Sequence, residues 1–188
     1  TIGPLVAEAR KVVPTVVVID DCSTDGTAAC AAEAGALVIR QRTRQGYDQA
    51  LITGFAYASA RSFDFMATLD ADGQHDARYL EALFLPLVRR ETQMVLGRRP
   101  RTARVAETLF AVYTRLRFGV ADPLCGMKSY SVSFYDSSQL FRRYESIGSG
   151  LALESVKNGA TFKEVPVPIR ERPGRPRFGK SFRANRLI

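Results

Sequence analysis

Asp70 and Asp72 stand one residue apart at the end of a short apolar run, Phe65-Met66-Ala67-Thr68-Leu69, and are followed by Gly73, Gln74 and His75. Carboxylates are hard oxygen donors, and two of them at the end of a buried strand can hold a divalent cation against a phosphate. Side chains alternate along a strand, so both reach one ion only where the strand has stopped. The plainer alternative has Asp72 capping the turn that follows. Upstream, Thr15-Val16-Val17-Val18-Ile19 runs into a second acidic cluster, Asp20-Asp21-Cys22-Ser23-Thr24-Asp25. Two apolar runs that each stop on carboxylates point to one site for a metal and a nucleotide, at the strand ends where open α/β sheets bind ligands. Ser23 and Asp25 read as turn and cap residues. His75, the only histidine, reads as a positioning or surface residue outside the catalytic set.

The elements that must position these groups alternate in type. A helix is predicted from Ile2 to Val13, a strand at Val16 to Ile19, and an alanine-rich helix capped by Ser23 or Thr24 that ends at Gly35. Leu37 to Ile39 reads as the next strand. The polar loop Arg40 to Tyr47 precedes a helix from Asp48 to Ala60 with Leu51, Phe55 and Ala58 on one face. Phe65 to Leu69 is the third strand, Ala77 to Arg90 an amphipathic helix, Met94 to Leu96 the fourth strand, and Thr102 to Phe118 another helix. The second half, with Asp122-Pro123-Leu124-Cys125-Gly126 and a strand-like Thr161 to Ile169, is less regular. Repeated βα units imply a mostly parallel sheet with right-handed crossovers and helices on both faces.

With 188 residues, 46% of them hydrophobic, the chain reads as one domain over 1–169 followed by a basic segment, 170–188. No run of about 18 apolar residues would span a bilayer, and no signal peptide is visible. Cys22, Cys30 and Cys125 fit neither a disulfide framework nor zinc spacing, which favours a reducing, cytoplasmic setting. The net charge of +8 is concentrated late, at Arg170, Arg172, Arg175, Arg177, Lys180, Arg183 and Arg186. Such a tail suits nucleic acid, anionic lipid or substrate phosphates. A non-catalytic basic binding module would explain the arginines. It would not explain two acidic strand ends, which repel phosphate unless a cation intervenes, and nucleic acid is not expected as a partner.

Five segments in this order, DDCSTDGT, GYDQALITGF, LDADGQHD, LGRR and DPLCGMKSY, resemble the family 2 glycosyltransferases of the GT-A fold, and within them the dolichyl- and polyprenyl-phosphate hexosyltransferase branch. The resemblance runs from about Val16 to Gly179. It implies a Rossmann-like open mixed sheet and a DxD motif, Asp70-Ala71-Asp72, holding Mg²⁺ or Mn²⁺ on the donor diphosphate with Gln74 assisting. Asp20 and Asp21 would recognise base or ribose, and Arg98, with Arg99 beside it as an alternative, would approach the phosphates. Asp122 and Gly126 would shape the sugar and acceptor pocket. Arg172 to Gly179 resembles the branch's R-x-x-G-x-S-K loop over the diphosphate, with proline in place of the serine and Arg177 in place of the lysine, a fork instead of a point charge. Two departures stand out: the family's opening strand, which would sit mid-sheet, is not seen before the first helix, and the Arg98 to Arg104 connection is short.

The resemblance implies a metal-dependent, inverting transfer of a hexose from a nucleotide-diphosphate sugar to a polyprenyl phosphate, by an enzyme peripheral at the cytoplasmic face of a membrane. An ionised phosphate acceptor needs little general-base help. A sugar or lipid hydroxyl, the alternative acceptor, would need a carboxylate base, for which Asp122 and Glu154 are the candidates. Base, sugar and oligomeric state are not legible.

Overall fold

The computed structural model describes residues 2–100, 105–138 and 147–170. Among them the order is α1 (Ile2–Ala9), β1 (Val17–Asp20), α2 (Thr27–Glu33), β2 (Leu37–Arg40), α3 (Tyr47–Ala60), β3 (Phe65–Thr68), a 3-10 turn (Ala77–Tyr79), α4 (Leu80–Val88), β4 (Met94–Arg98), α5 (Val105–Phe118), β5 (Lys128–Ser131), α6 (Val132–Ser138), α7 (Gly150–Lys157) and β6 (Phe162–Pro166). The α/β architecture expected from alternating patterns is present. Three helices are shorter than the sequence suggests: α2 starts at Thr27, with Gly26 and not Ser23 or Thr24 at its N-cap. α1 stops at Ala9, and the predicted helix from Ala77 opens as the 3-10 turn, where Asp76 caps the Arg78 amide at 3.0 Å.

The strands form two hydrogen-bonded sheets. β1 and β2 pair in parallel, while β3, β5, β4 and β6 form a four-stranded sheet in that order. β5 runs antiparallel to both of its neighbours, and β4 is parallel to β6. The sheets share helical support. Gly54 of α3 abuts Ile19 of β1, and Phe55 beside it packs in one cluster with Met66, Met94, Leu96 and Tyr130. Val16 joins Ala67 and Leu69 around Ala9 of α1.

β4 is buried on both faces, as its unbroken apolar run requires: Met94 and Leu96 face the α3 and α7 side, and Val95 packs with Leu83, Leu87 and Met127 on the α4 side. β5 was not anticipated, because Lys128-Ser129-Tyr130-Ser131 has the composition of a surface turn. Its polar groups are nonetheless buried and paired, Ser129 Oγ donating to Leu83 O at 2.8 Å and Lys128 Nζ to Cys125 O at 2.5 Å. Burial pushes the Lys128 ammonium pKa down.

Candidate active site

Asp70 and Asp72 follow the carboxyl end of β3 directly, where the strand's alternation has lapsed. Ala71 between them is exposed, both carboxylates are half-buried, and Asp72 Oδ1 accepts from the Gln74 amide at 3.0 Å, closing a tight turn that Gly73 completes with φ 86°. His75 is buried, and its Nδ1 accepts the Asp70 amide at 2.9 Å. The neutral ring therefore carries its proton on Nε2. Burial lowers the imidazole pKa, against the pull of Asp70 and Asp72. The histidine thus fixes the backbone of the acidic loop.

The Asp122 to Lys128 segment closes the site from the other side. Thr68 Oγ1 donates to Gly126 O at 2.8 Å, and Gly97 N donates to Met127 O at 2.8 Å, tying the segment to the ends of both β3 and β4. A Cβ on Gly126 would lie 2.1 Å from Asp70 Oδ2, and one on Gly97 would lie 2.7 Å from Met127 O. Asp122 is buried with both oxygens taken by Arg99, from its amide at 3.0 Å, Nε at 2.8 Å and Nη2 at 2.9 Å. Arg99 Nη2 also lies 3.4 Å from Glu107 Oε2 at the start of α5, and the Asp122 bonds hold its pKa above the ordinary value. Of the two adjacent arginines, Arg99 is the part-buried structural tie and Arg98 the exposed cation at the strand end. Glu154 lies on α7, its Oε1 accepting from Asn158 Nδ2 at 3.2 Å and Lys157 Nζ at 3.4 Å.

The first acidic cluster reaches this place through a relay. Asp21 accepts the Gln45 and Gly46 amides at 2.6 and 3.0 Å, pinning the glycine loop, where Gly46 has φ 92°. Tyr47 follows. Although 47% of its surface is exposed, its phenol end is packed close to Asp70, and burial together with the Asp70 charge raises the phenol pKa. Asp48 Oδ1 accepts the Ile147 amide at 2.8 Å, and a Cβ on Gly148 would lie 3.0 Å from the Tyr47 ring. Asp20 is buried. Its Oδ1 accepts the Ser23 amide at 3.0 Å, while Oδ2 sits 3.2 Å from Arg40 Nε without an aligned N–H. Tyr47, Asp48 and the residues around Gly148 were missed in the sequence reading, since nothing in a loop tyrosine marks which carboxylate it will meet.

Arg170, the last described residue, is held at the acidic loop: its amide donates to Gln74 O at 2.9 Å and its Nη2 to Asp76 Oδ2 at 2.8 Å. Arg172, Arg177 and the rest of the basic segment 171–188 lie outside the described residues, as do residues 101–104 of the short connection. Among the described residues no cluster of three or more carboxylate, histidine or cysteine ligands occurs. A pair of carboxylates with one amide oxygen nearby instead fits a cation that takes its remaining ligands from phosphate and water, and the space beside Asp70 is kept clear by the missing Gly126 side chain. A separate concavity of about 370 Å³, lined by Asp64, Phe65, Thr92, Gln93 and Thr161, opens at the opposite, amino end of β3 and β4 and has no paired carboxylates.

The family model for "Glycosyl transferase family 2" matches residues 2–140. The chain belongs to that family. It is a glycosyltransferase, as the ordered motifs implied. It is 27% identical over 186 residues to an undecaprenyl-phosphate mannosyltransferase of Micrococcus luteus, covering 87% of this chain and 75% of the relative. A dolichyl-phosphate hexose transferase of Haloferax volcanii is 29% identical over 185 residues, covering 92% and 78%. A crystal structure of glucosyl-3-phosphoglycerate synthase from Mycobacterium tuberculosis with Mn²⁺, uridine-diphosphate-glucose and phosphoglyceric acid superposes with a TM-score of 0.76 at 23% identity, covering 94% of this chain and 68% of that one. That likeness establishes a shared fold, and the GT-A expectation is borne out by it.

Proposed function

We propose that this glycosyltransferase moves a hexose from a nucleotide-diphosphate sugar to a polyprenyl phosphate, with inversion, at the cytoplasmic surface of a membrane. The observation that carries the reading is the acidic turn after β3, with Asp70 facing the gap at Gly126. Both relatives are named for lipid phosphates, and the crystallised synthase binds Mn²⁺ with a uridine-diphosphate sugar. Asp70 and Asp72, helped by the Gln74 amide oxygen, would hold Mg²⁺ or Mn²⁺. When bound, that cation offsets the negative charge that grows on the departing diphosphate.

An acceptor phosphate oxygen forms the new bond to the anomeric carbon as the bond to the diphosphate oxygen breaks, and the electron pair leaves on the nucleoside diphosphate. Arg98 stands exposed at the end of β4, where it can share the charge on that leaving group. His75 orients Asp70 through its backbone amide, and Tyr47 lies beside its side chain. Asp20 and Asp21 shape the nucleotide end, Asp21 through the Gly46 loop. Arg172 and Arg177 would add positive charge for the donor diphosphate.

The geometry of the two candidate bases favours a phosphate acceptor over a hydroxyl. Asp122 gives both oxygens to Arg99, and Glu154 accepts from the end of its own helix. Neither group is poised as a base, and an ionised phosphate needs none. The test is a nucleotide-diphosphate titration with and without Mn²⁺ on Asp72→Asn, alongside transfer to short polyprenyl phosphates. Loss of metal-dependent binding and of transfer with an unchanged melting temperature is expected. Equal nucleotide binding in excess chelator would refute the site assignment.

A further inference from the structure

Helix α5 carries an apolar face that the described fold leaves bare. Val105, Leu109, Val112, Tyr113 and Leu116 are between 52% and 84% exposed. Their spacing, i, i+4, i+7, i+8 and i+11, gathers them within an arc of about 100° on a helix roughly 21 Å long. Glu107 and Thr114, on the opposite side, are buried, and Glu107 with its Arg99 partner fixes α5 to the end of β4, beside the acidic turn. Soluble monomers seldom leave an apolar stripe of this size uncovered.

The charges around the stripe select the occupant. Arg117 flanks one edge and Arg115 the other, both exposed, and Glu107, the helix's only acid, is turned inward. A second copy laid on this face would find no carboxylate on the exposed side of its own α5 to meet these guanidiniums. An anionic lipid surface meets both demands: its acyl boundary takes the leucines, valines and tyrosine, and its phosphates take arginines that reach outward along the edges.

We propose that α5 lies in the plane of an anionic membrane surface, with Val105, Leu109, Val112, Tyr113 and Leu116 inserted, and so seats the acidic turn at the lipid headgroups. The docking stands on α5 alone; its service to a lipid-phosphate acceptor rests on the function proposed above.

Co-sedimentation with vesicles of phosphatidylcholine, with and without phosphatidylglycerol, tests it on the whole chain. Leu109→Ser/Leu116→Ser should weaken binding to the anionic vesicles by about tenfold or more. Arg115→Gln/Arg117→Gln should weaken it by roughly fivefold per arginine, and high salt should mimic that loss. The leucine variant should keep the wild-type melting temperature and turn over a short, water-dispersed polyprenyl phosphate normally, while losing activity on the same acceptor embedded in vesicles. Unchanged vesicle binding by the leucine variant would overturn the proposal. So would a vesicle-free dimer that the same substitutions split, since the face would then be an interface between copies. Leucine-dependent vesicle binding without transfer to any polyprenyl phosphate would uphold the docking and refute the acceptor.

Discussion

A methyl group added at Gly126 would lie 2.1 Å from Asp70 Oδ2, 2.6 Å from its Cγ and 2.7 Å from His75 Cε1. Gly126 is absent from the glycines with positive φ, so an alanine backbone would fit there, and only the space forbids it. Non-bonded heavy atoms rest about 3.5 Å apart, so the carboxylate must retreat by more than about 1 Å. The imidazole, buried and bonded to the Asp70 amide, has little room to yield. Overpacking of this kind costs about 1–3 kcal/mol, or several degrees of melting temperature for a chain of this size. The larger effect should fall on the metal, because displacing one carboxylate of the proposed two-carboxylate site should reduce cation affinity by about tenfold to a hundredfold. The assay is Mn²⁺ titration by calorimetry, and the melting shift given by Mn²⁺ with a nucleoside diphosphate. Gly54→Ala is the control: its Cβ would stand 3.6 Å from Ile19 Cγ1, an ordinary contact inside α3, and it should stabilise by up to about 1 kcal/mol with metal binding unchanged. Wild-type Mn²⁺ affinity in Gly126→Ala would show that Asp70 does not face the cation from this gap.

Arg99→Ala strips the buried Asp122 and the nearby Glu107 of their shared cation, which should cost about 3–5 kcal/mol and lower the melting temperature by about 10 °C; a drop of only a degree or two would mean that the triad is solvated. Hydrogen bonds from Arg78, with Arg170 adding to them, hold the Asp76 pKa down to about 2. Because the folded value lies below the unfolded one, this stabilisation is fully present above about pH 4 and is lost as pH falls toward 2. It amounts to about 1–2 kcal/mol after allowance for the exposure of both arginines. Acid melts of Asp76→Asn should therefore converge with the wild type at the low end, and curves that stay parallel from pH 6 to 2 would contradict the linkage. Proteolysis of the Arg172 to Gly179 segment should slow only when metal and nucleotide are both present, and Arg177→Ala should weaken donor binding; equal cleavage in every condition would remove the lid.

The sequence by itself determined the groups and their local settings. Apolar runs that stop on Asp20 and Asp70 specify strand ends through burial, and the Asp72-Gly73-Gln74 turn follows from side-chain and glycine chemistry within three residues. These are short-range effects, readable one segment at a time. Tertiary structure decided what those groups face. Lys128 to Ser131 became an internal strand because Leu83 O and Cys125 O lie where its polar atoms need acceptors. Arg99, next to Arg98, became a part-buried tie because Asp122, 23 residues later, meets its fork. Tyr47 found Asp70 because Asp21 pins the loop before it and Asp48 holds residue 147, 99 positions away. Periodicity gave α5 an apolar stripe without saying which residues would stay uncovered, since burial is a property of the partners that the chain brings to a face, and those partners are set by packing across the whole fold.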